Sequence, residues 1–363
     1  MIRYFDLSKQ TAILKKEIMN EISSVLDTGD FCNGSYVREF EKEFANVTGT
    51  EFVSGVSSGT SALILALKAL RLGKDDEVIV PAYTFIATAS AVVNVGCKPI
   101  FVDCELDTAN ISVDEIKKAI TPKTRCIIVV HMYGNPVNLD EIINICKEYK
   151  ISLIEDCAQA FGSTYSGKMV GGFGEMGCYS FYPSKNIGAF GEAGAVITNN
   201  SDYMQVINQV REHGALRKYH HTSIGYNMKM DSMQAVVLLV KMRYYQQNCT
   251  RRQRLAKQYM QCLSNSKIKL IKHLPKTNPV NHLFVIIVED RNDFREYMLH
   301  KNIETALHYP TPLHLQPAFS FLSYKSGDFP CSEYISNHVV SLPFYPELSD
   351  EEIDYVINCI NQY

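Results

Sequence analysis

Short apolar runs alternate with longer amphipathic stretches over the first two-thirds of the chain. The runs are rich in β-branched residues, as buried strands are, whereas the stretches between them place apolar residues at helical spacing. This alternation predicts an α/β fold with a largely parallel sheet covered by helices on both faces. The predicted strands are Glu51–Val56, Glu77–Pro81, Pro99–Asp103, Cys126–His131, Ile151–Glu155 and Glu192–Thr198, and the predicted helices are Ser61–Leu70, Ala87–Val95, Val113–Ile120 and Leu139–Tyr149.

The pattern changes in the last third of the chain. A long helical pattern over Asp231–Leu263 is interrupted by polar residues near Asn248. A strand at His282–Glu289, a helix at Arg291–Lys301 and the proline-punctuated segment His308–Pro317 follow it. We therefore predict a large domain over residues 1–240 and a smaller C-terminal α+β domain over residues 241–363.

Composition narrows the class of protein. The 363 residues include 36 basic and 39 acidic side chains, a net charge of −3 that argues against binding to nucleic acid or to an anionic membrane. No apolar stretch is long enough to span a bilayer, and the first residues are polar. The eleven cysteines contain no C-x-x-C pair. We expect free thiols in a reducing compartment, the cytoplasm, and neither a disulfide framework nor a metal site.

Two glycine patterns resemble nucleotide-binding motifs, and the sequence around each argues against that interpretation. Gly172, Gly174 and Gly177 satisfy G-x-G-x-x-G but lead into a strand-like aromatic run instead of a helix. The segment Gly162–Lys168 approaches a P-loop, but Met169 stands where a hydroxyl must bind magnesium. A dehydrogenase or nucleotide triphosphatase is therefore not predicted.

Three loops that follow predicted strands carry candidate chemistry. Ser57–Thr60 precedes a strong helix, so it is either a phosphate cradle or an ordinary capped turn. Asp156 ends an apolar strand, where a carboxylate needs a cationic partner or serves as a helix cap. Lys185 lies on a turn within Ser180–Asn186, where a lone lysine is usually a solvent-facing residue. Taken together, cradle, carboxylate and lysine are the groups that pyridoxal phosphate requires.

The same segments resemble a known family, the DegT/DnrJ/EryC1/StrS sugar aminotransferases. These are pyridoxal phosphate enzymes of the fold-type I, aspartate aminotransferase-like class, with a large and a small domain. The resemblance extends from Tyr4 to about Leu348, with matching order and spacing. It rests on the segments VSSGTSAL, DEVIVPAYTFIATASA, HMYGNP, IEDCAQAFG, SFYPSKN, GEAGAVITN and GYNMKMDSMQA.

The resemblance implies a role for each matching residue in the large domain. Lys185 matches the catalytic lysine that bonds to the cofactor, and Asp156 matches the partner of the pyridine nitrogen. Gln159 matches the glutamine beside the phenolic oxygen of the ring, and Phe85 matches the aromatic residue that stacks on it.

The phosphate contacts are implied in the same way. Gly59, Thr60 and Ser180 match residues that hold the cofactor phosphate. Asn227 matches an asparagine that the neighbouring subunit donates to the same phosphate. The resemblance therefore implies a homodimer with shared active sites.

The residues that would contact the substrate match the family less closely than those that would hold the cofactor. The family commonly has arginine where this chain has Lys229, which offers a point charge in place of a bidentate fork and disfavours a uronic acid sugar. A surface lysine paired with Asp231 is the alternative. His308, Tyr309 and His314 belong to the segment that resembles the substrate wall of enzymes that aminate C-3 of nucleotide-linked sugars. His308 and His314 lack a third ligand with metal-site spacing, so no metal is expected.

The implied activity is transfer of an amino group from L-glutamate to a nucleotide-linked keto-deoxy sugar. The tail segments favour amination at C-3. A dTDP-3-keto-6-deoxyhexose is the expected substrate, with products destined for surface polysaccharides or glycosylated metabolites. A 4-keto sugar or a UDP-linked 3-keto uronate remains an alternative substrate. A sugar dehydratase would carry histidine at position 185, and a non-catalytic regulator would be expected to lose Lys185 or Asp156; both residues are present.

Overall fold

Strands and helices alternate along the chain in the computed structural model, which describes all residues from 1 to 363. The strands are β1 (Phe52–Val56), β2 (Glu77–Pro81), β3 (Lys98–Val102), β4 (Thr124–Val130), β5 (Ser152–Asp156), β6 (Thr164–Tyr165), β7 (Lys168–Met169), β8 (Met176–Ser180), β9 (Gly194–Thr198), β10 (Ala215–Arg217), β11 (His220–His221), β12 (Ile268–Leu270), β13 (Thr277–Asn278), β14 (Phe284–Val288) and β15 (Val339–Leu342).

Helices flank these strands, and the first and last elements of the chain are also helices. They are α1 (Leu7–Thr28), α2 (Ser35–Thr48), α3 (Gly59–Ala69), α4 (Ala87–Asn94), α5 (Val113–Ala119), α6 (Leu139–Tyr149), α7 (Ser201–Arg211), α8 (Ser232–Met242), α9 (Tyr245–Cys262), α10 (Arg291–His300), α11 (Pro330–His338) and α12 (Asp350–Gln362), with short 3-10 turns at Met132–Gly134, Leu313–Leu315 and Pro317–Leu322.

A seven-stranded sheet has the order β1-β9-β8-β5-β4-β2-β3. Strands β8, β5, β4, β2 and β3 pair in parallel, whereas β9 is antiparallel to both of its neighbours, β1 and β8. The largely parallel sheet is thus confirmed, with β9 as the single reversed strand. Because six strands share one direction, their carboxyl ends meet at one edge of the sheet.

Both faces of this sheet are buried, which explains the nearly continuous apolar runs. On β5, Leu153 packs into a core that includes Phe40 and Phe44, whereas Ile154 packs into a second core that includes Leu65. Successive residues of a strand point to opposite faces, so each apolar neighbour contributes to a different core.

Two helical features differ from the prediction. The long pattern after Asp231 forms two helices, and the break falls between α8 and α9 at Arg243 and Tyr244 instead of near Asn248. The N-terminal helices α1 and α2 are absent from the predicted elements, although α2 buries Phe40 and Phe44 on one face. No helix combines the length and apolarity needed to cross a membrane.

The C-terminal part has its own core. Nineteen buried residues between 255 and 360 pack around β14 and β15, and Ile2 and Phe5 pack against them from the N-terminus. The division into a large domain over residues 1–240 and a smaller one over residues 241–363 stays a prediction.

Candidate active site

A cavity of about 460 Å³ lies at the edge where the parallel strands end. Ser58 follows β1, Thr84 follows β2, Asp156 ends β5 and Ser180 ends β8. Ligands of open α/β sheets collect at this position. Of the residues singled out from the sequence, the lining includes Gly59, Thr60, Phe85, Asp156, Gln159, Ser180, Lys185, His308 and Tyr309.

A larger groove of about 880 Å³ lies on the surface between α1 and α9. Its main cations are already paired with acids of the chain. Lys9 lies 2.8 Å from Glu352, and Arg251 lies 2.7 Å from Asp350. This groove contains none of the candidate residues, so its size does not make it the functional site.

The first turn of α3 forms one wall of the cavity. Ser58 caps the helix, because its hydroxyl oxygen accepts a hydrogen bond from the Ser61 amide at 3.1 Å. A Cβ placed on Gly59 would lie 2.7 Å from the Cβ of Ser180, too close for any side chain. The turn is therefore capped, and its helix N-terminus also opens on the cavity. The phosphate cradle stays a prediction, which this position suits.

Asp156 is buried at the end of β5 without a cation from the chain. Its Oδ2 accepts from the Thr88 hydroxyl at 2.9 Å and its Oδ1 accepts from the Ala158 amide at 3.1 Å. No lysine, arginine or histidine of the chain forms an ion pair with it. Burial raises the pKa of Asp156, against the opposing effects of these hydrogen bonds. The carboxylate thus fits a cofactor that brings a positive ring nitrogen of its own.

Lys185 lies in the loop that joins β8 to the antiparallel β9. Its side chain lines the cavity and is half-buried. Burial lowers the pKa of the Lys185 amine to about 8, and the charge of Asp156 opposes this shift. The Nζ of Lys241 holds the loop by donating to the Gly188 carbonyl at 2.6 Å. Lys185 is therefore not a solvent-facing turn residue.

Gln159 and Phe85 both lie next to Tyr309. The Oε1 of Gln159 accepts from the Tyr133 amide at 2.6 Å, so its Nε2 is fixed as a donor to the Tyr309 hydroxyl, 3.0 Å away. The ring of Phe85 lies 5.9 Å from that of Tyr309 and is 57% exposed. So exposed a phenylalanine in a cavity wall offers a flat apolar surface to a ring.

The two histidines of the proline-punctuated segment have different surroundings. His308 lines the cavity, stacks on Tyr4 and bonds through Nδ1 to the Ser341 hydroxyl at 2.9 Å. Burial, and then the charge of Lys185, lower its pKa to about 4, so the imidazole is neutral near pH 7. His314 does not line the cavity. Its side chain is fully buried, with Nε2 3.0 Å from Glu333.

Asn227 and Lys229 lie outside the cavity of their own chain. Asn227 is exposed. Lys229 lies 3.9 Å from Glu212 and forms no ion pair with Asp231, so the alternative of a surface lysine paired with Asp231 is wrong. Asp231 instead faces the thiol of Cys32 at 3.7 Å. Nothing within one chain brings Asn227 or Lys229 to Lys185.

A buried group of His131, Glu155 and Cys157 resembles a metal site, with ligand atoms within 4.8 Å of one another. The ligand atoms of His131 and Glu155 already have hydrogen-bond partners. The Nδ1 of His131 accepts from the Val137 amide, so its Nε2 donates to Glu155 at 3.1 Å. Both oxygens of Glu155 also accept amide hydrogens, from Gly171, Phe173 and Gly174.

These bonds also explain the glycine-rich pattern that resembles a dinucleotide fingerprint. The segment wraps the Glu155 carboxylate and leads into β8, as the sequence indicated. A Cβ on Gly174 would meet the Leu153 carbonyl oxygen at 2.4 Å, and one on Gly177 would meet the Gly171 carbonyl oxygen at the same distance. Close backbone packing therefore requires these glycines.

Sequence reasoning missed several residues of the cavity wall, among them Thr88, Glu192 and His282. Thr88 lies in the first turn of α4, and its hydroxyl is 2.9 Å from that of Thr84. Because Thr84 lies before the helix, helical spacing gave no signal for this contact. His282 stands just before β14, and no local pattern distinguishes it from a core residue.

A reactive lysine, a buried carboxylate and a helix N-terminus at this sheet edge define a fold-type I pyridoxal phosphate enzyme. The sequence model of the DegT/DnrJ/EryC1/StrS aminotransferase family matches residues 12–361. The chain belongs to this family of pyridoxal phosphate-dependent aminotransferases.

Individual relatives agree over the whole length. A dTDP-3-amino-3,6-dideoxy-alpha-D-galactopyranose transaminase of Aneurinibacillus thermoaerophilus is 39% identical, over 100% of this chain and 99% of the relative. A pleiotropic regulatory protein of Geobacillus stearothermophilus is 37% identical, over 99% and 97%. A UDP-N-acetyl-3-dehydro-alpha-D-glucosamine 3-aminotransferase of Acidithiobacillus ferrooxidans is 38% identical, over 98% and 96%.

The fold agrees equally well with a solved structure. The crystal structure of S. venezuelae DesV, solved in complex with a ketimine intermediate, superimposes with a TM-score of 0.97. It is 36% identical, and the match covers 100% of this chain and 97% of that one. The predicted α/β fold of the fold-type I class is therefore confirmed.

Proposed function

We propose that this aminotransferase moves an amino group from L-glutamate to C-3 of a nucleotide-linked keto-deoxy sugar, a dTDP-3-keto-6-deoxyhexose. The observation that carries the proposal is the single cavity that holds Lys185, Asp156 and the start of α3 together. The relatives named for 3-amino and 3-keto sugars support the position of amination.

The residues of the cavity fit the cofactor part by part. Gly59 and Thr60, at the N-terminus of α3, and Ser180 opposite them would hold the phosphate dianion through amides and hydroxyls. Asp156 would pair with the positive ring nitrogen, and the exposed ring of Phe85 would pack on the face of the pyridine. Gln159 reaches the same space beside Tyr309. When bound, the cofactor supplies an electron sink for the carbon that loses its proton.

Lys185 would serve as the base and then the acid in this site. Its pKa of about 8 lies close enough to neutral pH for the amine to move a proton from the donor carbon to the cofactor in one half-reaction, and from the cofactor to the sugar carbon in the other. Thr88 keeps Asp156 in place through its hydroxyl, and Lys241 keeps the loop of Lys185 in place. Both half-reactions would then use Lys185 as the base, on one side of the pyridine ring of the cofactor.

A homodimer would complete each site. Asn227 is exposed and lies outside the cavity of its own chain, as expected of a residue that acts in the neighbouring subunit. Apolar side chains nearby are also exposed, Ile224 to 95% and Tyr219 to 85%. Exposed apolar residues beside such a loop support a subunit interface there. Lys229 would reach the partner's substrate by the same route.

The substrate wall would be formed by His308 and Tyr309, which line the cavity with neutral polar groups. His314, the third residue predicted for this wall, lies outside the cavity and is not part of it. A 4-keto sugar nucleotide and a UDP-linked 3-keto uronate are the competing substrates. Free thiols at all eleven cysteines suit a cytoplasmic enzyme, with products that enter O-antigen, lipopolysaccharide or glycosylated metabolites.

The proposal is tested with purified protein, pyridoxal phosphate and L-glutamate. Glutamate should convert the bound cofactor to its aminated form, which is followed by absorbance. A dTDP-3-keto-6-deoxyhexose should then regenerate the original spectrum faster than the 4-keto isomer or the UDP-linked 3-keto uronate. Lys185→Ala should abolish both changes. A protein that does not bind the cofactor, or that prefers the 4-keto sugar, would contradict the proposal.

A further inference from the structure

His282 reaches the cavity from the C-terminal part of the chain, just before β14. Its backbone amide donates to the Tyr133 carbonyl at 2.7 Å, which fixes the main chain at this point. The side chain lies among the lining residues together with Lys185 and is 6% exposed. No part of the proposed mechanism so far uses this imidazole.

A chain of hydrogen bonds sets the tautomer of His282. The amide nitrogen of Asn186 donates to the Phe161 carbonyl at 3.0 Å, so the Oδ1 of Asn186 must be an acceptor. The Nδ1 of His282 lies 3.0 Å from that oxygen. Nδ1 therefore carries the proton, and Nε2 keeps a bare lone pair.

That lone pair is free and accessible. The Nε2 of His282 has no hydrogen-bond partner in the chain, and it is not among the buried polar atoms that lack one. It contrasts with the Nδ1 of His314, which is buried and unpartnered. The bare nitrogen of His282 therefore opens on the cavity as a hydrogen-bond acceptor.

The surroundings keep the imidazole neutral. Burial, and then the positive charges of Lys185 and Arg252, lower the pKa of His282 well below its ordinary value of 6.5. At neutral pH such a nitrogen accepts a hydrogen bond but does not retain a proton. It therefore acts as an acceptor and not as a second base beside Lys185.

The two proposed substrates differ in what they offer such an acceptor. At neutral pH the carboxylates of glutamate are acceptors only and meet the lone pair unfavourably. The amino group of glutamate is its one donor, but this is the group that passes to the cofactor, so it is not left free to bond to His282. Each hydroxyl of a sugar brings a donor. From this asymmetry we infer that the Nε2 of His282 accepts a hydrogen bond from a hydroxyl of the sugar and so acts in the sugar half-reaction alone. The inference rests on the proposed function and adds a specificity-determining residue to it.

A matched pair of substitutions separates this role from a structural one. In His282→Asn, the side-chain amide can occupy the position of Nδ1 and keep the bond to Asn186, while the acceptor at Nε2 is lost. In His282→Gln, the side-chain amide reaches the position of Nε2 and can restore the acceptor. The two half-reactions are measured separately in cofactor-loaded protein, with L-glutamate and with the keto sugar nucleotide.

We expect His282→Asn to aminate the cofactor with glutamate at a rate within about twofold of the wild type and to slow the sugar half-reaction by roughly tenfold or more, as loss of one hydrogen bond to a substrate group predicts. His282→Gln should recover most of the sugar half-reaction. Equal damage to both half-reactions, or an unchanged sugar half-reaction in His282→Asn, would overturn the inference.

A spectroscopic measurement does not depend on turnover. In protein labelled with ¹⁵N-histidine, the His282 signal, assigned by its loss in His282→Asn, should report a proton on Nδ1 and none on Nε2. A dTDP-linked 3-amino-6-deoxyhexose should shift the Nε2 resonance, and L-glutamate should not. A proton on Nε2, or equal shifts with both ligands, would overturn the inference. A wild type that transfers no amino group to any sugar nucleotide would overturn the proposed function as well.

Discussion

The hydroxyl of Thr88 donates a hydrogen bond of 2.9 Å to the Oδ2 of Asp156. Asp156 is buried, and a hydrogen bond to a charged group contributes about 1.5–3 kcal/mol. Thr88→Val removes this donor with little change of shape. We expect the affinity for pyridoxal phosphate to fall roughly 10- to 100-fold, as measured by equilibrium dialysis of the cofactor.

The matched control is Thr198→Val. Thr198 is equally buried, and its hydroxyl donates to the Glu175 carbonyl at 2.7 Å, away from the cavity. This variant should lose stability and keep its cofactor affinity. Equal losses of affinity in the two variants would show that Thr88 acts through general packing and not through Asp156.

Gly59 approaches Ser180 more closely than any side chain would permit. Carbon atoms pack at about 3.5–4.0 Å, and a Cβ at position 59 would lie 2.7 Å from that of Ser180. In Gly59→Ala, the end of β8 or the start of α3 must move, and the cofactor affinity should fall about tenfold or more. Gly73→Ala is the control, because a Cβ there meets nothing within 4 Å. Unchanged affinity in Gly59→Ala would remove this turn from the proposed phosphate site.

The Lys185 amine should become reactive at a lower pH than an ordinary lysine, because it loses its proton more readily. Burial lowers its pKa from 10.5 to about 8, so in protein without cofactor the reactive, unprotonated form is largely reached above pH 8. Acylation of Lys185 by a small reagent should rise with pH and level off above about 8. Mass spectrometry of the Lys185 peptide measures this rate, with the exposed Lys123 as the internal reference. A rate that still rises steeply at pH 10 would contradict the lowered pKa.

Subunit complementation tests whether Asn227 acts across a dimer. Lys185→Ala and Asn227→Ala chains are each expected to be impaired alone. If Asn227 serves the partner's site, co-expressed chains form hybrid dimers with one intact site, and a statistical mixture should recover about a quarter of the wild-type activity. Activity no higher than the average of the two separate variants would place Asn227 in its own chain's site or outside catalysis.

Much of the fold could be predicted from the sequence, because both faces of the central sheet are buried. Each residue of β5 from Leu153 to Asp156 is buried, and the strand is an apolar pair, Leu153 and Ile154, followed by two carboxylates. The loops that follow such strands could be located in the same way. The antiparallel direction of β9 could not be predicted from the sequence, because its residues are as apolar as those of a parallel strand. The direction is set by the loop around Lys185, which reverses the chain between β8 and β9.

Part of the candidate site could also be predicted from the sequence, because some of its residues lie in recognisable local segments. Lys185 and Asp156 lie in segments with characteristic neighbours, and the structure places them in one cavity. His282 carries no such local signal, because its position depends on contacts with Asn186 and Tyr133, which are distant in sequence. His314 gave a misleading signal, because a histidine between prolines looks accessible until its pairing with Glu333 is known.

The most direct test of the proposed function follows the amino group itself. Cofactor-loaded protein is incubated with ¹⁵N-labelled L-glutamate and a dTDP-3-keto-6-deoxyhexose, and the nucleotide sugar is examined by NMR and mass spectrometry. We predict one ¹⁵N atom per sugar, bonded to C-3, and no label in the Lys185→Ala variant. Label at C-4, or a sugar that acquires no ¹⁵N from an active, cofactor-loaded protein, would contradict transfer to C-3 of this substrate.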